Sequence, residues 1–219
     1  TRIKEEFIAN ASHELKTPIA SVRLAAESAL TSLERDDGMT KSFLEQILRD
    51  SDRMNELISD LLDLSAMESS DVFMEAFDLH DVIANEISYL SKQNKKRISY
   101  KKKKVEINAN FDDISLAVKN LIKKAIKYSP PEENILIQIE ENDKSVRCSF
   151  QDFGSGISQS DQEKIFERFY RVDKGRSRKV GGTGLGLAIV KHALDRNNAV
   201  IEIVSELDHG SNFTIVFEK

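Results

Sequence analysis

Cysteine is almost absent. Cys148 is the only one among 219 residues, so no intrachain disulfide can form and a reducing compartment fits. With only four histidines beside it, the chain offers no zinc-ligand spacing. No apolar run reaches the roughly 18 residues of a membrane-spanning helix, and no signal peptide is read. Positive charge is not in excess either: the net charge of -5 gives no global attraction to nucleic acid. The local basic run from Lys101 to Lys104 reads as a solvated loop or strand edge. The chain starts at Thr1, without methionine and already in a helical pattern, which reads as a fragment whose helix continues upstream.

What is present suits one or two domains. A hydrophobic fraction of 40% permits a core, and a charged fraction of 32% suits the surface of long helices. Within residues 1–34, Ile3, Phe7, Leu15, Ile19, Val22 and Ala26 recur at spacings of three, four and seven, with Ala11 between, as on an amphipathic helix. His13 lies off that stripe and is expected to reach solvent. Thr17, four residues on, shares its face, and Glu14 is one step round the turn. Pro18 lacks an N–H and clashes with the Glu14 carbonyl, so a bend is expected beside the histidine. A lone histidine here would read as an ordinary surface residue. The combination His-Glu-x-x-Thr-Pro instead places a nucleophilic nitrogen, a carboxylate and a hydroxyl within one turn.

Asp36, Asp37 and Gly38 break this helix, and Thr40 is a candidate cap for the next. In residues 41–68, Phe43, Ile47, Met54, Leu57, Ile58, Leu61, Leu62 and Leu64 keep a three-four apolar pattern. Two antiparallel helices cannot bury both stripes alone, so a two-fold dimer forming a four-helix bundle is expected. Residues 69–74 shift in composition. The expected domains are therefore 1–69, a helical hairpin, and 70–219, a second domain. In the latter, residues 78–91, 114–128 and 184–197 read as helices. Residues 105–108, 135–140, 145–152, 199–205 and 212–217 read as strands. The fold class is α+β: a helical hairpin followed by an α/β sandwich.

Seven of the nine glycines fall between Gly154 and Gly186, and glycine is used where backbone turns sharply or approaches something closely. Asp152-Phe153-Gly154-Ser155-Gly156-Ile157 ends a strand. Its carboxylate suits an exocyclic amine, and its glycines let a planar ring lie close, although a simple Asp-Gly turn reads equally well. Gly181-Gly182-Thr183-Gly184-Leu185-Gly186 enters a helix whose free N–H groups suit an anion. It follows no strand and contains no Gly-Lys-Ser/Thr, which disfavours a Rossmann fingerprint and excludes a P-loop. Between them, residues 165–171 lead into a polar, glycine-bearing segment at 172–180. That segment reads as a lid or as an ordinary surface loop. Cys148 reads as a strand core residue, and His80, His192 and His209 as structural or surface residues.

The box around His13 resembles the phospho-acceptor box of sensor histidine kinases. In chain order, residues 120–128, 152–157, 166–170 and 182–187 resemble the N, G1, F and G2 boxes of that family's ATP-binding domain. The resemblance implies a GHKL-type sandwich that binds ATP with Mg²⁺. It implies autophosphorylation on His13, with Glu14 as general base, transfer to a response-regulator aspartate, and Thr17 orienting water for dephosphorylation of that partner. It implies that Asp152 reads adenine, that Gly154 and Gly156 shape its pocket, and that Gly182, Gly184 and Gly186, with Thr183 and Leu185 in the same box, hold the triphosphate. Lys127, Tyr128 and Arg171 are the further nucleotide candidates. A homodimer, a receiver-domain partner and a cytoplasmic position in a membrane-anchored bacterial protein with a missing N-terminal sensor region are also implied.

One position departs from the pattern. The second N-box asparagine, a Mg²⁺ ligand in the family, is Lys124, and a charged ammonium has no lone pair for a metal. Three readings stay open. Lys124 replaces part of the metal's charge, the ion is held more weakly through Asn120, phosphates and water, or the chain is a degenerate, phosphatase- or scaffold-dominant homologue. ATPases of the same sandwich fold lack the hairpin, and the related mitochondrial serine kinases would not need His13 in this setting.

Overall fold

The computed structural model describes residues 2–35, 38–172 and 182–219, with side chains from Phe7 onward. Helix α1 (Arg2–Arg35) runs unbroken through Pro18, whose ring is buried, so the expected bend does not interrupt it. Side chains brace the flanking turns: Ser12 Oγ donates to the Ile8 carbonyl (2.8 Å) and Thr17 Oγ1 to that of His13 (3.3 Å). Gly38 turns the chain at φ +74, in the left-handed region open to glycine. Asp36 and Asp37 lie outside the described residues. Helix α2 (Thr40–Ser69) then returns antiparallel. The pairs Thr40–Ser32, Gln46–Ser21 and Arg53–Glu14 set its register.

Thr40 is not the cap. Met39 holds that position and its side chain makes no capping hydrogen bond, while the Thr40 hydroxyl donates to Ser32 Oγ at 3.0 Å. Ala25, Ala29, Leu57, Leu64 and Met67 are buried in or under the hairpin. Ile19, Leu24, Leu30, Leu33, Leu48 and Leu62 remain more than half exposed. One hairpin therefore leaves a wide apolar face on both helices uncovered.

The second unit carries two sheets. Strand β1 (Glu75–Asp78) pairs antiparallel with β3 (Glu106–Ala109). The larger sheet has the order β2-β4-β5-β7-β6. Its strands are β2 (Ile98–Tyr100), β4 (Ile135–Glu141), β5 (Ser145–Asp152), β6 (Ala199–Ser205) and β7 (Ser211–Glu218). Among the described residues only the β2–β4 pairing is parallel. Burial alternates along β5, so Val146, Cys148, Phe150 and Asp152 all point inward. That face is covered by α5 (Phe111–Tyr128) and, after the short α6 (Gln159–Gln162), by α7 (Gly186–Arg196), with α3 (Leu79–Ser88) packed against α5. Cys148 is a core residue whose thiol is pushed up by burial.

Several boundaries differ from the sequence expectation. Strands β1 and β2 went unread, since four and three residues are too few for alternation to show. Helix α3 stops at Ser88, and Ser91 instead caps the short α4 (Lys92–Lys96) by accepting from the Asn94 N–H. Helix α5 starts three residues before Ile114 because Asn110 Oδ1 accepts from the Asp113 N–H at 3.0 Å. Helix α7 starts at Gly186 rather than Gly184. The run Lys101 to Lys104 lies in the loop after β2, with Lys103 4.0 Å from Glu141.

Candidate functional site

Strand β5 delivers Asp152 to its buried end, where Oδ1 accepts from the Gly154 N–H (3.0 Å) and from the Ser211 N–H (3.2 Å). Burial raises its carboxyl above the usual carboxylate range, partly offset by the Gly154 bond and by the positive charge of Lys124. The loop after it is tied to the turn between β6 and β7. The Ile157 N–H donates to Ser205 Oγ (2.9 Å), and that hydroxyl donates to the Gly210 carbonyl (2.9 Å). A Cβ on Gly156 would run into the Glu206 carbonyl, so this glycine lets the loop close on that turn. Gly210 sits at φ +82, and a Cβ there would overlap the Asp152 carbonyl and come within 2.8 Å of Phe153 Cα. Both obstacles are backbone. Gly210→Ala is therefore expected to destabilise this unit by on the order of 3 kcal/mol, read as a lower denaturant midpoint at unchanged slope.

Helix α5 presents Asn120, Lys124 and Tyr128 on one face, four residues apart. Asn120 Nδ2 donates to the Leu116 carbonyl (2.9 Å), which turns Oδ1 toward Gly186, where an added Cβ would lie 3.1 Å from it. Lys124 points inward: its ammonium lies 4.5 Å from the Tyr128 ring centroid and 5.3 Å from that of Phe213. Burial lowers its pKa to about 8, against the opposing pull of Asp152. Lys127 is also lowered by burial, with Glu56 pulling upward and the Arg171 charge pushing further down. Burial raises Tyr128, and Arg171 opposes that. Arg171 thus lies within electrostatic range of both. Gly182, at φ +139, leaves room for the Lys127 ammonium, 3.3 Å from where its Cβ would be.

The G2 glycines enter α7 through a loop fixed from two sides. The Phe169 N–H donates to the Gly184 carbonyl at 2.9 Å, and a Cβ on Gly184 would meet the Phe169 backbone at 2.9 Å. Leu185 is wholly buried in the core, so its part in the box is packing. Thr183 Oγ1 accepts from the Leu185 N–H (3.2 Å) and donates to Asp60 Oδ2 on α2 (2.5 Å). Desolvation raises the Asp60 carboxyl, with the Thr183 bond opposing it. Further bonds join the two units. Arg168 pairs with Glu68 (2.7 Å) and lies over the Phe7 ring, which sits 5.8 Å from that of Phe169. Arg196 reaches the Met67 carbonyl and Ser70. The segment 173–181, with the expected lid and Gly181, lies outside the described residues.

Between the units is a cleft of about 780 Å³. One wall is α5 with Lys119, Asn120, Lys123 and Lys127, closed by Gly182. The other is α2 with Arg49, Arg53, Glu56, Asp60 and Asp63. Those α2 residues are spaced four, three, four and three, so they share one helix face. A sequence reading that scored α2 for apolar spacing alone missed them, and the charged stripe was the available signal. His13 and Thr17 are exposed on α1 and do not line the cleft. The link is Arg53: it faces the cleft and also pairs with Glu14 at 3.1 Å, both side chains being largely covered.

The donor set fits a nucleoside triphosphate. The Asp152 carboxylate is an acceptor of the kind that suits an exocyclic amine, while Lys127, Arg171 and the N–H groups at the start of α7 suit phosphates. A divalent cation fits poorly. Lys124 has no lone pair to give while charged, and among the described residues no group of three or more His, Cys, Asp or Glu could hold a metal.

Residues 3–70 match the family model of the His Kinase A (phospho-acceptor) domain, and residues 109–219 that of the histidine kinase-, DNA gyrase B- and HSP90-like ATPase. The chain is 34% identical over 224 residues to the sensor-like histidine kinase SenX3 of Mycolicibacterium smegmatis, covering 97% of this chain and 56% of that protein. It is 36% identical over 224 residues to the phosphate regulon sensor protein PhoR of Pseudomonas aeruginosa, covering 99% and 50%. The chain thus spans about half the length of these relatives. Its fold is similar to that of the Acinetobacter baumannii histidine kinase AdeS, with a TM-score of 0.69 at 22% identity over 94% of this chain and 97% of that one. It is also similar to the histidine kinase ThkA, solved in complex with the response regulator protein TrrA, with a TM-score of 0.75 at 19% identity over 98% and 61%. At those identities the structural likeness concerns the fold alone.

Proposed function

This chain belongs to the histidine kinases of two-component sensor systems, and from that premise we propose that it binds ATP, phosphorylates its own His13 and passes the phosphoryl group to an aspartate of a response-regulator receiver domain. The observation that carries this reading is the continuity of one cleft from Asn120, Lys127 and Gly182 to Arg53, whose guanidinium holds the neighbour of His13.

ATP supplies the phosphoryl group. His13, exposed on α1, accepts it on a ring nitrogen as the nucleophile. Glu14 takes the imidazole proton or holds the tautomer, and Arg53 fixes one of its oxygens. Lys127 and Arg171 neutralise charge on the phosphates, the main protein contribution in phosphoryl transfer. Because His13 lies outside the cleft, the ATP-binding unit has to shift along the hairpin for transfer. Thr17 orients a water for dephosphorylating the regulator, which would make the protein a phosphatase as well. The uncovered apolar face of α1 and α2 serves a two-fold dimer, completing a four-helix bundle. The TrrA complex of ThkA supports a receiver domain as partner. The remainder of such a protein carries the sensor region and any membrane anchor, with this chain on the cytoplasmic side. No helix among the described residues is long and apolar enough to cross a membrane.

The direct test is incubation with γ-labelled ATP, followed by addition of purified receiver domains. Acid-labile label on the chain that then moves to one receiver is the expected result. A chain that binds ATP yet never labels, while still accelerating loss of label from a phosphorylated receiver, would sink the kinase assignment. It would favour the second reading, a phosphatase- or scaffold-dominant homologue, for which Lys124 is the specific observation.

A further inference from the structure

The nucleotide site carries a cation of its own. Among the described residues, Lys124 makes no hydrogen bond and no ion pair; its ammonium rests on the faces of Tyr128 and Phe213. Asp152 attracts it, as the direction of that contribution to its pKa requires, but Asp152 Oδ1 is already engaged by the Gly154 and Ser211 N–H groups. An ammonium covered in this way has exchanged part of its water for two ring faces and the charge of Asp152. It has no hydrogen-bonded anion among the described residues, and it stands one helical turn along α5 from Asn120, whose Oδ1 faces the start of α7 where phosphates are expected. The neighbouring cations are placed to help it rather than to hold a metal. Lys127 lies against Gly182, and Arg171 acts on both Lys127 and Tyr128.

The metal side of the balance is weak in the same region. Lys124 stands where a metal-binding amide was expected. A divalent ion drawn to the phosphates would have to approach that ammonium and be repelled by it. On the same face of α5, Asn120 keeps an oxygen, Oδ1, that points toward the start of α7.

We propose that this nucleotide site takes its compensating charge from Lys124 instead of from a divalent cation, so that ATP binds without Mg²⁺. The inference rests on the ATP-site reading above. Lys124 approaches phosphate oxygens as a point charge with three donors, from its position over the Tyr128 and Phe213 rings.

The test is calorimetric titration of the 219-residue chain with ATP, once in Mg²⁺ buffer and once in EDTA. Wild type is expected to give affinities within about threefold of each other in the two buffers. Lys124→Met should weaken binding in EDTA by about tenfold or more, and Lys124→Asn should make binding about tenfold or more tighter with Mg²⁺ than without. Wild-type binding that is tenfold or more tighter with Mg²⁺, on the order used above, overturns the inference and leaves the ATP site standing. So does a Lys124→Met variant that binds as wild type does in EDTA. No binding in either buffer by chain shown to be folded by its thermal transition overturns both. The wild-type comparison needs no substitution, so it stays decisive if a variant fails to fold.

Discussion

His13→Gln is expected to abolish acid-labile labelling from γ-labelled ATP while leaving ATP affinity within about twofold of wild type. The side chain is exposed on α1 and is not among the residues lining the cleft, so its replacement leaves the packing of the ATP site unchanged. Glutamine is a good helix former, keeps polarity and similar length, and leaves the Thr17 bond to the backbone carbonyl of residue 13 in place. What it removes is the nucleophilic nitrogen, and no neighbouring group replaces that. Serine and threonine hydroxyls on this face would give acid-stable esters. Acid-labile label surviving in this variant, with unchanged yield, would overturn the assignment of His13.

The second large effect lies at the other end of the reaction. Asp152→Asn is expected to weaken ATP binding by about tenfold to a hundredfold, since a hydrogen bond to a charged acceptor contributes about 1.5–3 kcal/mol. The substitution also turns a pure acceptor into a group that can present N–H to the adenine amine, setting donor against donor. The fold should survive, because an asparagine Oδ1 still accepts from the Gly154 and Ser211 N–H groups that anchor the loop. Removing a carboxylate whose burial already raises its pKa relieves strain on the folded state. An unchanged thermal midpoint with lost affinity therefore separates recognition from stability. Unchanged affinity would mean that the base is read elsewhere.

Residues with a periodic or compositional signature were legible in the sequence. The hairpin helices came out within about two residues of their ends, as usual for such boundaries, and β5 and β6 were read at their observed limits. The site's glycines were legible because each answers a local backbone need, such as the φ of +139 at Gly182. Elements whose cause is a single side-chain bond were not. Asn110 starts α5 three residues early by capping it, and nothing in the spacing of Phe111 to Asp113 announces this. Thr40 looked like a cap by residue type, but its hydroxyl found Ser32 across the hairpin turn instead. The partners on α2 were hidden for another reason. Glu56 and Asp60 gain meaning only once the ATP-binding unit is laid against them, a relation with no sequence period. The direction of Lys124 likewise depended on Phe213, 89 positions further along the chain.

The bond between Thr183 and Asp60 also has an accounting side. A hydroxyl owns one hydrogen. While Asp60 takes it, Thr183 can only accept, as it does from the Leu185 N–H, and it has nothing to offer a phosphate oxygen. Withdrawing α2 from the loop frees that hydrogen, and it also returns the Asp60 carboxylate to water. The docked arrangement and a fully engaged triphosphate thus compete for a single proton. The grip of one unit on the other is therefore set partly by whatever sits between them.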